Sequence, residues 1–164
     1  MRSNEEIKQL ILNTAETDPR IRAVILNGSR ANPNIAADKF RDFDILYYVN
    51  DLKSFTSDHS WLDVFGERII LQMPEEMELY PGDADKHRAG FSYLMLFKDG
   101  NRIDLTLFPV NKVNKDYRPE SLSIVWLDKD GLFTGIKLPS DKDHHNTKPT
   151  AKLFAETCNE FWWV

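Results

Sequence analysis

The chain has 164 residues, of which 41% are hydrophobic and 29% are charged, and its formal charge is −5. This composition excludes a disordered tail or a collagen-like chain, and the length suits one domain, or one domain and the start of another. A mildly acidic protein lacks the basic surface on which non-specific nucleic-acid binding depends, so we expect no nucleic-acid partner. An acidic site would instead suit metal ions or a cationic small molecule.

The sequence also narrows the compartment in which the protein works. Cys158 is its single cysteine, so neither an intrachain disulfide nor a multi-cysteine zinc site can form. The first six residues have no apolar run behind Arg2, so we expect no signal peptide, and no stretch reaches the length of a membrane span. We therefore expect a soluble cytoplasmic protein with no membrane partner.

The first predicted elements are a helix and a strand. Ser3 and Glu6 have the spacing of a capping box, which predicts a helix that continues to about Thr17. Asp18-Pro19 ends this helix, because the residue before a proline disfavours helical conformation. The β-branched and apolar run at residues 21–26 then predicts a strand that stops at the following Asn-Gly-Ser-Arg turn.

The middle of the chain alternates between short apolar runs and polar segments. The polar stretch at residues 31–41 is predicted to be part loop and part short helix. After it we expect a strand over residues 42–49, a short helix around residues 61–65, a strand over residues 68–73 and an acidic loop over residues 75–88.

The rest of the chain contains the clearest turn signal. Asp99-Gly100 separates apolar runs at residues 91–97 and 102–108 and predicts a β-hairpin. Three further elements follow: a strand at residues 123–127, a charged linker at residues 139–148 and a helix at residues 150–164. The order of helices and strands predicts an α/β protein with a mixed sheet.

The predicted last helix ends in Phe161, Trp162 and Trp163, whose large apolar side chains are normally covered in folded proteins. We expect that the chain is truncated and that a following segment buries these aromatics, or that the chain pairs with another chain through them. For the tryptophans, packing is favoured over ligand stacking. Cys158 lies at helical spacing on the same helix and is expected to be a small buried hydrophobic residue.

Asp42 and Asp44 are the first candidates for chemistry. They stand two residues apart at the start of a predicted strand, so both carboxylates project from the same face. Two adjacent like charges cost free energy unless a cation lies between them, and Mg²⁺ takes one or two carboxylates together with phosphate oxygens. The alternative is that both are surface aspartates at a solvated strand end. On the evidence of the aspartate pair alone, this alternative is favoured.

Asp104 is a third carboxylate, in a strongly apolar predicted strand. Ile103, Leu105 and Leu107 alternate toward the core, so Asp104 shares the opposite face with Thr106. A charged residue in such a strand either lies on an exposed sheet face or lines a site. The sequence of the strand leaves both interpretations open.

Gly28-Ser29 directly follows the first predicted strand. A glycine at that point lets the backbone approach a phosphate closely, and successive N–H groups with the Ser29 hydroxyl would form an anion-binding nest. Alone, such a dipeptide carries little information, because many turns contain it.

Together these motifs resemble the nucleotidyltransferase superfamily of the DNA polymerase β type, whose fold is a mixed, mostly antiparallel sheet flanked by helices. The resemblance rests on Gly28-Ser29 after a strand, Asp42-Phe43-Asp44 starting the next one and Asp104 in a later one. Residues 24–30, 41–45 and 158–163 more closely resemble the aminoglycoside 6-adenylyltransferases, which inactivate streptomycin.

This resemblance implies a domain organisation and a reaction. It assigns residues 1–145 to a nucleotidyltransferase domain and residues 146–164 to a linker and the first helix of a truncated helical domain. The implied reaction transfers AMP from ATP to the 6-hydroxyl of streptomycin, with release of pyrophosphate, and confers antibiotic resistance. Two Mg²⁺ ions would assist it.

The resemblance also assigns roles to the motif residues. Asp42 and Asp44 match the family's metal-binding pair, and Asp104 matches the third metal ligand, near the attacking hydroxyl and a candidate general base. Gly28 and Ser29 match the turn that holds the triphosphate, where Arg30 would add a charge-assisted contact.

Three other functions remain open from the sequence. The same fold and metal site would serve a different acceptor, or a non-catalytic, antitoxin-like binding module. An acidic domain that binds Ca²⁺ through surface aspartates needs no nucleotide. The acidic stretch at residues 75–85 would attract a guanidinium sugar such as streptomycin, although a solvated loop is the favoured interpretation.

Overall fold

The structure is a computed structural model that describes residues 1–36, 38, 40–77, 89–113 and 119–163 of the chain. Across these residues, no helix combines the length and the apolar character that crossing a membrane would require. The part of the predicted acidic loop at residues 78–88 lies outside the described residues.

Helix α1 (Asn4–Thr17) begins with the predicted capping box. The backbone N–H of Glu6 donates to Ser3 Oγ at 3.2 Å, and the backbone N–H of Ser3 donates to the Glu6 carboxylate at 2.6 Å. These bonds satisfy donors that a helix start would otherwise leave without partners. The helix buries Ile7, Ile11 and Ala15 completely, so its apolar face packs on the core.

In the described residues, six strands form one sheet: β1 (Ile21–Asn27), β2 (Phe43–Val49), β3 (Arg68–Gln72), β4 (Phe91–Phe97), β5 (Arg102–Pro109) and β6 (Ser123–Asp128). Their order across the sheet is β3-β4-β5-β2-β1-β6. The β2 and β5 strands are parallel, whereas the other four neighbouring pairs are antiparallel, which confirms a mixed and mostly antiparallel sheet. The predicted hairpin is therefore β4-β5, with Gly100 at φ +82° in its turn.

Short helices lie between the strands and after the last of them. They are α2 (Lys53–Thr56) and the 3-10 helices Gly28–Ala31, Ser60–Phe65, Pro74–Glu76, Val110–Lys112 and Lys142–His144. The last helix, α3 (Ala151–Trp163), lies where the sequence predicts it. In the described residues of the stretch 31–41, the helical part is the end of the 3-10 helix Gly28–Ala31, which begins earlier than predicted because the turn after β1 closes at once into this helix.

The two faces of the sheet have different coverings. On one face, α1 and the segments after β2 enclose the main core, which includes Phe55, Leu62 and Phe65. On the other face, Tyr48 packs against Phe133, from the segment after β6, with ring centroids 4.6 Å apart. The strand alternation places Asp44 and Asp104 on this second face, near the ends at which β2 and β5 begin.

The structure corrects the prediction for Cys158. This residue is only half-buried, and its neighbours Leu153 and Phe154 on α3 are exposed. The expected burial fails because, in the described residues, the apolar positions of α3 lie on no core surface. The spacing along a helix predicts which side chains share a face, but it does not supply the surface that covers them.

Candidate active site

The register of the sheet brings together the three predicted carboxylates. Asp44 on β2 lies directly opposite Asp104 on the parallel neighbour β5. Asp42 lies one residue before β2 rather than inside it, yet its carboxylate still reaches the same place. One carboxylate oxygen from each residue lies within 4.8 Å of the other two, which is close enough for all three to hold one ion.

The carboxylate triad (Asp42, Asp44 and Asp104) carries negative charge that the neighbouring arginines do not fully neutralise. The pKa of Asp44 is raised to about 6, first by its burial and then by the negative charges of Asp42 and Asp104. Arg102 and Arg30 act in the opposite direction without cancelling this effect. A hard, oxygen-only donor set with excess negative charge fits a divalent cation such as Mg²⁺.

Gly28 brings the turn after β1 against this triad. Its φ is +72°, and a Cβ atom at this position would lie 2.3 Å from Asp44 Oδ2, far inside contact distance. Only a residue without a side chain permits both the conformation and the approach. The Gly28 N–H donates to the carbonyl of Leu122 at 3.0 Å, so this group holds the turn to the segment before β6.

Two arginines fix the segment that carries Asp42. Arg30 donates from Nε to the carbonyl of Asp42 at 2.6 Å and from Nη2 to the carbonyl of Arg41. Its guanidinium also lies 3.7 Å above the Phe43 ring, and burial lowers its pKa. Arg41 in turn donates to the carbonyl of Ser29 at 2.7 Å. Arg30 therefore positions Asp42, and its contact with a phosphate stays a prediction.

Arg102 is a site residue that the sequence analysis missed. Its Nε donates to Asp104 Oδ1 at 2.9 Å and its Nη2 donates to Asp104 Oδ2 at 2.5 Å, a two-pronged ion pair. The same Nε lies 3.8 Å from Asp42 Oδ2. Arg102 and Asp104 are two residues apart on one strand, and such residues share a face. This spacing was the signal in the sequence that could have identified Arg102.

A buried polar pair next to the turn is a second feature that the sequence analysis missed. Ser123 is 2% exposed and donates from Oγ to Asn27 Oδ1 at 2.6 Å. Asn27 is opposite Asp44 on one side and opposite Ser123 on the other. This bond pairs two polar groups, one of them on the residue directly before Gly28, and a buried polar group without a partner there would be costly.

The loop after the turn is tied to the predicted charged linker. Asp141 accepts a hydrogen bond from the side-chain amide of Asn34 at 2.9 Å and a longer one from that of Asn32 at 3.4 Å. His145 also lies 3.3 Å from Asp141. In the described residues the linker is thus partly held by the domain rather than fully solvated.

The described part of the predicted acidic stretch is partly committed to structure. Glu75 accepts a hydrogen bond from the backbone N–H of Ser92 at 2.9 Å, and Glu76 lies 3.4 Å from His59. Thr106 shares the face of Asp104 as predicted, and its hydroxyl lies 3.2 Å from that of Ser92. Glu75 therefore supplies a hydrogen-bond acceptor for the start of β4, at a point that β3 does not reach. Its attraction for a cationic sugar stays a prediction.

Comparison with known proteins places this geometry in a family. The sequence matches the family model described as streptomycin adenylyltransferase over residues 1–164. It is 51% identical over 162 residues to the aminoglycoside 6-adenylyltransferase of Campylobacter jejuni, covering 99% of this chain and 55% of that protein. The aminoglycoside 6-adenylyltransferase of Bacillus subtilis is 45% identical, with 100% of this chain and 57% of the relative covered.

A solved structure supports the same assignment. The crystal structure of an aminoglycoside 6-adenyltransferase from Bacillus subtilis aligns with a TM-score of 0.62 at 37% identity, covering 99% of this chain and 54% of that one. The chain spans little more than half the length of the curated relatives that it matches. The match over the whole chain and the shared fold show that this protein belongs to the streptomycin adenylyltransferase family.

Proposed function

We propose that this chain forms the nucleotide-transferring part of an aminoglycoside 6-adenylyltransferase. In the proposed reaction, AMP passes from ATP to a hydroxyl of a cationic aminoglycoside such as streptomycin, at its 6-position, and pyrophosphate leaves. The observation that carries this proposal is the convergence of Asp42, Asp44 and Asp104 beside the turn at Gly28. The names of the curated relatives supply the acceptor class.

The carboxylate triad would hold the metal. Asp42, Asp44 and Asp104 offer the oxygen ligands that Mg²⁺ prefers, and two ions are proposed by analogy with the superfamily. When bound, Mg²⁺ would neutralise the charge that develops on the transferring phosphoryl group and on the leaving oxygens. The raised pKa of Asp44 supports this assignment, because it arises first from burial of the carboxylate and then from the charges of Asp42 and Asp104, and bound positive charge would offset both effects.

The chain's own residues bind and orient the nucleotide in this proposal. Gly28 and Ser29 hold the triphosphate, since the glycine gives the backbone its close approach to the triad. Arg30 and Arg41 keep this turn and Asp42 at a fixed separation through their bonds to backbone carbonyls. Most of the catalytic advantage in such a transfer comes from positioning and charge stabilisation.

Asp104 is the proposed recipient of the proton from the acceptor hydroxyl. Its side chain is 18% exposed and is paired with Arg102. A general base must reach the hydroxyl directly or through one water. The variant Asp104→Asn tests this role. If it still binds Mg²⁺ and ATP but transfers no AMP, the role of Asp104 as general base is supported. If it no longer binds Mg²⁺, the role of Asp104 is that of a metal ligand.

We propose three further properties from the remainder of the chain. Residues 1–145 form the nucleotidyltransferase domain, and residues 146–164 form a linker and the first helix of a helical domain. The aromatic end of α3 is covered by further chain or by another copy, because Trp162 and Trp163 are 82% and 91% exposed. The single cysteine and the need for ATP support a cytoplasmic location.

The acceptor is tested by following pyrophosphate release and product mass with ATP, Mg²⁺ and a panel of aminoglycosides. A mass increase of one AMP on streptomycin is the expected result. Transfer to a different hydroxyl compound would favour a different acceptor on the same fold. ATP binding without any transfer would favour the non-catalytic alternative for this chain. All three carboxylates lie together here, so the arrangement supports catalysis.

A further inference from the structure

Arg102 occupies the oxygens that the proposed metal site requires. Both oxygens of Asp104 accept hydrogen bonds from this one guanidinium, at 2.9 and 2.5 Å. Arg102 begins β5 and Asp104 lies two residues along it, so the two side chains share a face and pair without distortion of the strand. Planar, two-pronged pairs of this kind are among the stronger ion pairs at protein surfaces.

The pair also places positive charge where the ion would lie. Arg102 Nε is 3.8 Å from Asp42 Oδ2 as well as bonded to Asp104, so the guanidinium spans two of the three carboxylates. A divalent cation bound to the same oxygens would face a like charge at close range. The metal and the present position of Arg102 are therefore in competition.

Arg102 can move away from its carboxylate partners without disturbing the fold, whereas Arg30 cannot. The Arg102 side chain is 50% exposed at the open edge of the site, with solvent on one side. Arg30 bonds two backbone carbonyls and packs on the Phe43 ring, so its displacement would disrupt the fold of the turn. Of these two arginines, Arg102 has the position from which to exchange partners.

We propose that Arg102 is a positioning residue that holds Asp104 in the metal-free enzyme and restricts metal binding until a nucleotide arrives. The phosphates of the nucleotide then give the guanidinium a new two-pronged partner, which releases Asp104 to the ion. The consequence is that metal and nucleotide bind cooperatively, each favouring the other. The inference rests on the metal site of the proposed function.

The test measures Mn²⁺ binding by the 164-residue chain, read from the loss of the free-ion paramagnetic resonance signal. Arg102→Gln is compared with wild type, with and without a non-hydrolysable ATP analogue. Without nucleotide, Arg102→Gln is expected to bind Mn²⁺ about three- to tenfold more tightly, because the competing cation is gone. The gain in Mn²⁺ affinity on adding the analogue is expected to shrink by a similar factor.

Two variants serve as controls. Arg22→Gln removes the same charge from a comparable two-pronged pair with Asp130, at the far end of β1, and is expected to leave Mn²⁺ binding unchanged. Arg102→Lys keeps the charge without the planar fork, so its Mn²⁺ affinity is expected to fall between those of wild type and Arg102→Gln. Such a graded response is not expected from a merely structural role.

The outcomes separate this inference from the proposed function. If Asp44→Asn weakens Mn²⁺ binding while Arg102→Gln leaves it unchanged or weakens it, the metal site stands and the role of Arg102 is wrong. If Asp44→Asn has no effect on Mn²⁺ binding, or neither wild type nor Arg102→Gln binds Mn²⁺, the metal site is wrong and the inference fails with it.

Discussion

Asp44 and Asp104 lie directly opposite each other on β2 and β5, which are the two parallel neighbours in an otherwise antiparallel sheet. Each strand is buried on one face by its alternating apolar residues, so the register of the core also fixes the register of the two carboxylates. The fold thus holds two like charges side by side, at a cost in stability that a bound cation would offset.

The first prediction concerns how the stability of the metal-free protein depends on pH. The pKa of Asp44 is about 6 in the folded chain, above its ordinary value near 3.8. Because this carboxyl has a higher pKa in the folded state than in the unfolded state, its contribution to the free energy of unfolding is most favourable below about pH 4. That contribution is lost as the pH rises through 6. Asp44→Asn should therefore be more stable than wild type at pH 8, by roughly 1 kcal/mol after solvent screening.

Urea unfolding at pH 5 and pH 8 measures this effect. The difference between Asp44→Asn and wild type should grow from the lower to the higher pH, and Mg²⁺ should selectively stabilise wild type at pH 8. Equal stabilities of the two proteins at both pH values would show that Asp44 is not under electrostatic strain.

The second prediction isolates the close approach of Gly28. Gly28→Ala adds a Cβ that would meet Asp44 Oδ2 at 2.3 Å, in a backbone conformation with φ +72°. Gly135→Ala is the matched control, because φ is +75° there and nothing lies within 4 Å of the added atom. The control should lose about 1 kcal/mol of unfolding free energy, the cost of the conformation alone.

Gly28→Ala should lose more stability than this control, and only Gly28→Ala should abolish Mg²⁺-dependent ATP binding, because Asp44 must move. Thermal unfolding and calorimetric titration measure the two effects. If Gly28→Ala bound ATP as well as Gly135→Ala does, the contact between the turn and the triad would have no functional role.

The third prediction separates the structural role of Arg30 from general stabilisation. Arg30→Lys loses the planar fork that bonds the carbonyls of Asp42 and Arg41, at an expected cost of about 1 kcal/mol. Arg20→Lys is the control, since Arg20 also lies over a phenylalanine ring, 4.0 Å from the centre of Phe55, and bonds the Ser54 carbonyl. Both variants should lose stability, but only Arg30→Lys should lose affinity for Mg²⁺-ATP.

Equilibrium unfolding and ATP titration distinguish these outcomes. Equal ATP affinity in the two lysine variants would mean that the position of Asp42 tolerates the loss of the Arg30 fork.

The fourth prediction concerns the aromatic end of α3. Trp162 and Trp163 are 82% and 91% exposed, and Phe161 beside them is 73% exposed. The double substitution Trp162→Lys and Trp163→Lys should reduce self-association in sedimentation velocity, with less than about 0.5 kcal/mol change in unfolding free energy. Leu138→Lys is the control, because Leu138 is 90% exposed but lies outside α3. Concentration-independent sedimentation of wild type as a monomer would contradict pairing through this surface.

Local sequence signals predicted the parts of the fold that depend on neighbouring residues. The capping box at Ser3 and Glu6, the hairpin at Gly100 and the alternation around Asp104 depend on only a few residues of chain, and all are confirmed. The resemblance to a known family then brought Gly28 and the three carboxylates together before their geometry was known.

The features that the sequence did not predict depend on long-range contacts. Arg102 was missed because an arginine at a strand start is usually a solvated surface residue, and only the close triad makes it significant. Ser123 lies 96 positions from Asn27 along the chain, so no local pattern connects them. The burial of Cys158 was predicted from spacing alone, which does not show whether a covering surface exists.

The central claim is that the triad and the turn form a metal-dependent nucleotide site. Calorimetric titration of ATP with and without Mg²⁺ tests it most directly, using wild type, Asp44→Asn and the surface control Asp63→Asn, whose side chain is 72% exposed. We expect ATP to bind wild type and Asp63→Asn only with Mg²⁺, and Asp44→Asn not at all. Mg²⁺-dependent ATP binding that Asp44→Asn retained in full would contradict the claim.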